Sequence, residues 1–505
     1  MKKELESLQN LAAKQTGTIV EQAKTIRYLE EKIDYLIRQK YGVKSEKLTS
    51  NQPSLFDEPT QEEYVAQEDD SQEIVIPVHK RKGKSRSLPD HLPHIRIEHD
   101  IDDKDKICSC GCAMRYFKEI ISHQYDVEPA QFRIIDNVRF AYTCSKGCGA
   151  KPITAPRFNA VLPKAQVTPS LLATIGVQKF EDGLPLVRQA KIYKQRFNVQ
   201  FSDTTLSNWM IGASKLRLSP LVALMDTYMK QSSYIQADET TFQVLNEEKK
   251  KATAKSYLWI RVNKDETKKM VLLHYSSNRA SSTVTTLLDG FNGYLQTDGY
   301  AGYNIKAKEA GVTHLGCWAH GRRRFADILK STISDKQSQS LSKEIIALIA
   351  KLYKIEKEIK EDPLEIKQQT REDKSKPIID EIECWLEHNL ALANQTGGAI
   401  KTAFNYLYRQ FPKLCVYLEN GKLNIDNNQA ENHIRPIAVG RKNWLFATST
   451  KGATALANWY SIIESAKINK LDPFTYLKHI FTELPLYEKE NRSLEPLLPW
   501  NVVIN

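Results

Sequence analysis

The chain has 505 residues, of which 41% are hydrophobic and 26% charged, and a formal net charge of +11. Three or four soluble globular domains of roughly 100–200 residues fit that length and composition. No apolar run approaches the roughly 20 residues of a membrane helix, and the opening MKKELESLQN lacks the apolar stretch of a signal peptide, so a cytoplasmic protein with no membrane partner is expected. The charge is unevenly spread. Residues 51–78 hold eight acids and no Lys or Arg, which leaves the remainder more basic still. A basic body suits a polyanionic partner, most often nucleic acid.

Residues 1–48 begin with a heptad. Leu5, Ala12, Ile19, Ile26 and Ile33 form one series, and Leu8, Gln15, Gln22, Leu29 and Leu36 the other. Such a seam asks for a partner helix, so a coiled coil joining two copies of the chain is expected. Gly17 and the two glutamines weaken its first half. Residues 49–95 read as a charged linker, acidic at first and then basic in HKRKGKSRS. Residues 96–158 alternate like short strands around a group of cysteines. Residues 159–230 read as helices, and LPLVRQAKIYKQRFNVQFSDTTLSNWMIGAS looks like two short helices with a turn, the second capped by Ser202 or Asp203. A helix-turn-helix entering a DNA groove and a plain helical hairpin both satisfy that pattern.

From residue 231 strands take over. SYIQADETTFQVL, SYLWIRVN and MVLLHYSS are followed by a helix, SSTVTTLLDGF, and two further strands, YLQTDGYAGY and THLGCWAH. This order predicts a mixed α/β sheet. Residues 330–420 are helical and highly charged, and residues 456–505 are helical with a break at Pro473.

Four groups of residues carry chemistry. Cys108, Cys110 and Cys112 lie in ICSCGCAM, and Cys144 and Cys148 in YTCSKGCGA. Any four of these five thiolates could close one tetrahedral, structural Zn²⁺ site; buried thiols are the plainer alternative. Asp238 and Asp298 each follow an apolar strand and precede a break. Brought together at strand ends they could hold Mg²⁺ through oxygen ligands, although capped turns would also use them. In DNNQAENHIRPIAVGRKNWLF, Glu431 stands among Asn427, Asn428, Asn432, His433 and Arg435. Asn428, Glu431 and Arg435 share one face of a helix, and Arg441, Lys442 and Trp444 follow with cations and a stacking surface. Finally, CWAHGRRRF contains His320 and the consecutive Arg322, Arg323 and Arg324, whose guanidinium forks suit phosphate.

These segments together resemble the transposases of the bacterial insertion sequence 66 family, of the DDE type. The similarity runs nearly end to end. It takes in the N-terminal zipper with YGVKSEKL, the LPDHLP segment and the cysteine region, and then KFEDGLPLVRQ, QADETTFQV and LQTDGYAGYN. It continues through GCWAHGRRRF and DNNQAENHIRPIAVGRKNWLF to LANWYSIIESAKINKLDPFTYLKHI. One departure is the C-S-C-G-C pattern where the family has something closer to C-x2-C-G, which leaves open whether Cys110 or Cys112 partners Cys108.

The resemblance implies a ribonuclease H-like catalytic core formed by residues 231–329 and 421–455. A helical insertion at 330–420 interrupts it, and a C-terminal helical region follows at 456–505. Ahead of it stand the coiled coil, a small zinc-binding β module and the helical DNA-binding region. It places the three catalytic acids at Asp238, Asp298 and Glu431, holding two Mg²⁺ (or Mn²⁺). The implied reaction is cleavage at the ends of the element and strand transfer into target DNA. Arg322, Arg323, Arg324, Arg435, Arg441 and Lys442 would grip double-stranded DNA. A homodimer or higher oligomer would form through the coiled coil, on the nucleoid, with small accessory proteins of the same element as further partners. The competing reading is a non-catalytic, zinc-containing DNA-binding regulator derived from a transposase.

Overall fold

The computed structural model describes residues 131–142, 153–156, 158–263, 267–331, 341–396 and 398–504, together with six isolated helical positions between residues 15 and 33. The five clustered cysteines and half of the ten heptad positions lie outside the described residues. The chain divides into two units, Asp57–Ile135 and the remainder, and every element below belongs to the second. No helix among the described residues is long and apolar enough to cross a membrane.

A two-residue antiparallel pair, β1 (Ala141–Tyr142) with β2 (Ile153–Thr154), precedes the helices. Helix α1 (Pro169–Phe180) starts where the Thr168 hydroxyl accepts from Leu171 N at 3.2 Å and proline fills the first turn. Helix α2 (Leu186–Phe197) ends at Asn198, whose φ of 54° is the left-handed stop that asparagine tolerates. Helix α3 (Asp203–Ala213) is capped by Ser202, whose Oγ accepts from Thr205 N at 3.0 Å. It continues through a π-turn into α4 (Ser219–Lys230). The buried Gln189 amide bridges the Ile175 and Leu184 carbonyls at 3.2 and 3.0 Å, fixing α2 against α1.

The central sheet has strand order β5-β4-β3-β6-β7. Strands β3 (Tyr234–Asn246), β4 (Lys255–Asn263) and β5 (Met270–Ser276) form an antiparallel meander. After α5 (Ser281–Leu287), β6 (Gly293–Gln296) returns parallel to β3, and β7 (Val312–Leu315) adds parallel to β6. The last residues of β3 also pair in parallel with the short β8 (Ala447–Ser449). Strands β4 and β5 read as nearly continuous apolar runs because both faces are covered. Two expectations change here. YLQTDGYAGY is a strand only to Gln296, and THLGCWAH is a strand only to Leu315: α6 (Trp318–Ser331) begins just after Cys317, takes in Trp318 to His320 and carries all three arginines.

The helical stretch consists of α7 (Leu341–Glu358), α8 (Leu364–Thr370), α9 (Lys376–Thr396) and α10 (Gly398–Cys415). It packs on α6 around Phe325, Leu352, Ile382, Phe404 and Leu407. The chain then returns through residues 416–427 to α11 (Asn428–Trp444), β8, α12 (Thr450–Ile468) and α13 (Pro473–Lys489). Helix α12 seals the sheet's open edge: Ser461 and Ser465 Oγ accept from Leu273 N and Val271 N of β5 at 2.8 and 2.9 Å. Its Trp459 lies against Gly176 of α1 so closely that a Cβ there would fall 2.3 Å from the indole.

Arg371, 2% exposed, ties the helical block to the returning chain. Its Nε and Nη2 donate to the two carboxylate oxygens of Glu356 at 2.8 and 2.6 Å, while further donors reach the carbonyls of Tyr417, Asn420 and Leu423. Removing the guanidinium takes the donors away from the largely buried Glu356 carboxylate and from the carbonyls of Tyr417 and Leu423, while the Asn420 carbonyl keeps only its bond from Leu423 N. Arg371→Ala is therefore expected to lower unfolding free energy by about 3–5 kcal/mol in urea titrations. Arg371→Lys is expected to restore only part of it, because an ammonium lacks the fork.

Candidate functional site: a carboxylate cluster at the sheet centre

The site grows out of one repeated phrase. Tyr234-Ile-Gln236-Ala-Asp238 on β3 and Tyr294-Leu-Gln296-Thr-Asp298, which begins on β6 and runs past its end, share a spacing of Tyr, Gln and Asp. Parallel pairing sets Tyr234 opposite Tyr294 and Gln236 opposite Gln296, so each Asp stands two residues beyond a matched glutamine. Gln236 Nε2 donates to Gln296 Oε1 at 2.7 Å and to the Asp426 carbonyl at 3.0 Å. Gln296 Nε2 donates to the carbonyls of Gly316 and Asn424 at 3.0 and 2.8 Å. Asn427 Nδ2 donates to the Ala237 carbonyl at 3.1 Å. These buried amides fasten β3, β6 and the segment that launches α11 at one level, directly beneath the acids.

Asp238 lies within β3, and Asp298 lies two residues past the end of β6 in a tight turn. There Asp298 Oδ1 accepts from Tyr300 N at 2.9 Å, and its carbonyl accepts from the Tyr406 hydroxyl at 2.6 Å. Gly299 has φ of +90°, which an L side chain rarely adopts, and a Cβ there would meet Tyr406 and Gln410 at 3.1 Å. Asp238, Asp298 and the neighbouring Glu239 each offer an oxygen within 4.8 Å of the others. Glu431 sits in the first turn of α11, 9% exposed. Its Oε2 accepts from Arg323 Nη2 at 3.1 Å, and its Oε1 lies 3.5 Å from His320 Nδ1 without a hydrogen-bond partner.

The electrostatics of this cluster oppose its own ionisation. Burial holds the Asp238 carboxyl well above the usual range, and repulsion from Asp298, Glu239 and Glu431 adds to it. Burial also raises Glu239, countered by Arg279 and Tyr303. Arg279 Nε donates to Glu239 Oε1 at 2.7 Å and Tyr303 to Oε2 at 2.8 Å, so both oxygens of that residue are engaged. A set of oxygens that repel one another when empty fits a hard divalent cation. The donors are oxygens only, and the positive charge supplies what burial withholds.

The expected phosphate-binding residues fall into different surroundings. Arg323 pairs with Glu431. Arg324 is exposed and stacks over Tyr406 at 4.1 Å. Arg322 is half-buried on the same helix, and Arg435 and Lys442 are exposed on α11. Arg441 donates to the Thr241 carbonyl of β3. Sequence reasoning overlooked Glu239, Gln236, Gln296, Arg279 and Tyr303. The recurring Tyr-x-Gln-x-Asp phrase was the available signal for the glutamines; Arg279 and Tyr303 lie far along the chain and left none.

The raised acid gives a stability prediction with a definite sign. A carboxyl whose folded pKa exceeds its unfolded value binds more protons in the folded state, so its contribution to stability is lost as pH rises from the unfolded value through the folded one. Asp238→Asn removes the penalty. The variant is expected to melt above the wild type at about pH 8 without divalent cations, with the gap closing towards about pH 4, the range of an ordinary carboxyl.

Comparison with known proteins identifies the family. The model for "Transposase IS66 family" matches residues 164–455, which span the sheet, both aspartates and Glu431. The "IS66 C-terminal element" matches residues 461–500 and the "zinc-finger binding domain of transposase IS66" residues 105–148. A further model, "Transposase C of IS166 homeodomain", matches residues 28–97. The zinc-finger match covers all five clustered cysteines and supports bound Zn²⁺. Among curated proteins, the uncharacterized protein y4jD of Sinorhizobium fredii is 29% identical over 495 residues, covering 94% of each chain. The uncharacterized protein y4qI of the same organism is 31% identical over 438 residues, covering 84% of this chain and 78% of its own. The chain belongs to the IS66 family of transposases.

Proposed function

We propose that this transposase cuts DNA at the ends of its element and joins the freed ends to target DNA, with Asp238, Asp298 and Glu431 as its catalytic acids. The observation that carries the proposal is the register-matched pair Asp238 and Asp298, held with Glu239 so that their oxygens fall within 4.8 Å of one another in a chain of transposase family. The strand order, three antiparallel strands followed by two parallel ones beside the first, supports a ribonuclease H-like core. Glu431 is preferred over Glu239 as third acid: Glu239 is occupied on both oxygens by Arg279 and Tyr303, whereas Glu431 Oε1 is unengaged.

Bound Mg²⁺ would neutralise charge on the phosphate and make water a better nucleophile. The residues' part is placement. Asp238 and Asp298 present carboxylates from adjacent strands whose relative height the glutamine pair fixes, and Glu431 approaches from α11. In the first reaction a water oxygen bonds to phosphorus, and the bond to the 3′ oxygen breaks, that oxygen leaving as a hydroxyl. In the second that hydroxyl bonds to a target phosphorus, displacing the target's own 3′ oxygen. Such chemistry depends chiefly on positioning and charge. Arg324, Arg435 and Lys442, all exposed, are the cations best placed to meet the DNA backbone. The helices of residues 159–230 and the zinc module would read the element ends. The heptad would pair two chains, as its helical seam residues Ile26, Leu29 and Ile33 are 57%, 42% and 54% exposed in the single chain.

The test is a strand-transfer assay with purified protein, Mg²⁺, accessory proteins of the element and DNA bearing its own ends. Asp238→Ala, Asp298→Ala and Glu431→Ala should bind DNA yet form no cut or joined product. Glu239→Gln should lose only ~10- to 100-fold, as a supporting group does. Wild-type protein that binds but never cuts would favour the non-catalytic regulator. Cutting that survives any one of the three alanine changes would remove that acid from the set.

A further inference from the structure

Glu431 belongs to a second group of potential ligands, of different chemistry. Cys317, His320 and Glu431 each offer a donor atom within 4.8 Å of the other two: a sulfur, an imidazole nitrogen and a carboxylate oxygen. Cys317 lies just before α6, His320 falls in the first turn of that helix, and Glu431 comes from the first turn of α11. The two helix starts are fastened together. Trp318 N donates to the Ile425 carbonyl at 3.2 Å, and Asn427 N donates to Cys317 Sγ at 3.3 Å. A backbone N–H aimed at sulfur is the kind of contact that supports a ligating thiolate. Within the group, His320 Nδ1 and Glu431 Oε1 are buried and lack hydrogen-bond partners although they stand 3.5 Å apart. Two unpaired polar atoms facing each other beside a buried thiol are costly unless something sits between them.

We propose that Cys317, His320 and Glu431 form a binding site for Zn²⁺, separate from the aspartate pair and sharing Glu431 with it. Sulfur and imidazole favour zinc and its thiophilic relatives, whereas Mg²⁺ takes oxygen. The oxygen-only group of Asp238, Glu239 and Asp298 and this mixed group therefore select different ions. Binding exchanges the Cys317 S–H bond for a metal–sulfur bond and releases the proton to water. The His320 and Glu431 side chains, 20% and 11% exposed, leave a way in. A zinc ion here commits Glu431 to the wrong partner set, so it inhibits Mg²⁺-supported cutting. This consequence rests on Glu431 being the third acid; the binding itself does not.

Zinc content of the full-length protein decides the matter. Wild type, Cys317→Ser, His320→Gln and the exposed-thiol control Cys384→Ser would be equilibrated with Zn²⁺ against a weak chelator and measured by atomic emission. Wild type and Cys384→Ser should carry an additional equivalent over Cys317→Ser and His320→Gln. Co²⁺ loading should show an extra thiolate charge-transfer band in the same two proteins. In the cutting assay, micromolar Zn²⁺ should depress wild-type cleavage in Mg²⁺ by ~10-fold or more and spare Cys317→Ser. Equal zinc content in all four proteins, with matching circular dichroism and melting, would overturn the site. Extra zinc without inhibition would overturn the competition. A wild type that does not cut in Mg²⁺ would count against the proposed function, while the zinc content would still decide the site.

Discussion

The structure turns on a pair of buried glutamines. Gln236 and Gln296 face each other across β3 and β6, and their amide donors reach from one to the other and to the carbonyls of Gly316, Asn424 and Asp426. A buried amide left unpaired costs roughly 1–3 kcal/mol, so a slip in register or a shift of the 424–427 segment would break several bonds together. The same bonds set the height of everything above them. Asp238 and Asp298 inherit their juxtaposition from the glutamines two residues earlier. Asn427, bonded to the Ala237 carbonyl, carries the constraint on to the start of α11 and so to Glu431.

The carboxylates themselves work against the fold. Asp238 is half-buried among like charges, and the tight turn at Asp298 depends on a glycine with positive φ. Cores do not assemble such clusters for stability. The surrounding scaffold is correspondingly heavy: the edge of β5 is closed by serines of α12, and Trp459, Tyr460 and Phe481 are buried behind it. Repulsion among the acids is tolerated because those elements overdetermine the backbone that carries them.

The helical block between α6 and α11 serves the site indirectly. Arg371 links it to the chain at 417–423, Trp318 Nε1 donates to the Leu414 carbonyl at 2.9 Å, and the Tyr353 hydroxyl donates to Asp426 Oδ2 at 3.0 Å. Its last long helix supplies Tyr406, which holds the Asp298 carbonyl and underlies Arg324. A long excursion in sequence thus returns to brace both ends of the acid cluster.

Much of this is legible in the sequence. Alternating and continuous apolar runs mark the five strands, Ser202 marks a helix start, and Pro473 marks where one helix gives way to the next. The segments around Asp238, Asp298 and Glu431 carry the family resemblance. All of these are local patterns written in consecutive residues. The end of THLGCWAH misled, since apolar THL running into CW looks like a continuing strand, yet the chain turns after Leu315 and packs α6 on the helical block. What tertiary structure alone decided is who meets whom. That Arg323 faces Glu431, that Arg279 and Tyr303 occupy Glu239, and that Cys317 and His320 stand beside Glu431 are contacts across 40 or more residues of chain. Composition and periodicity specify which face of an element is buried; only close packing of the assembled elements specifies which polar atoms are left facing one another.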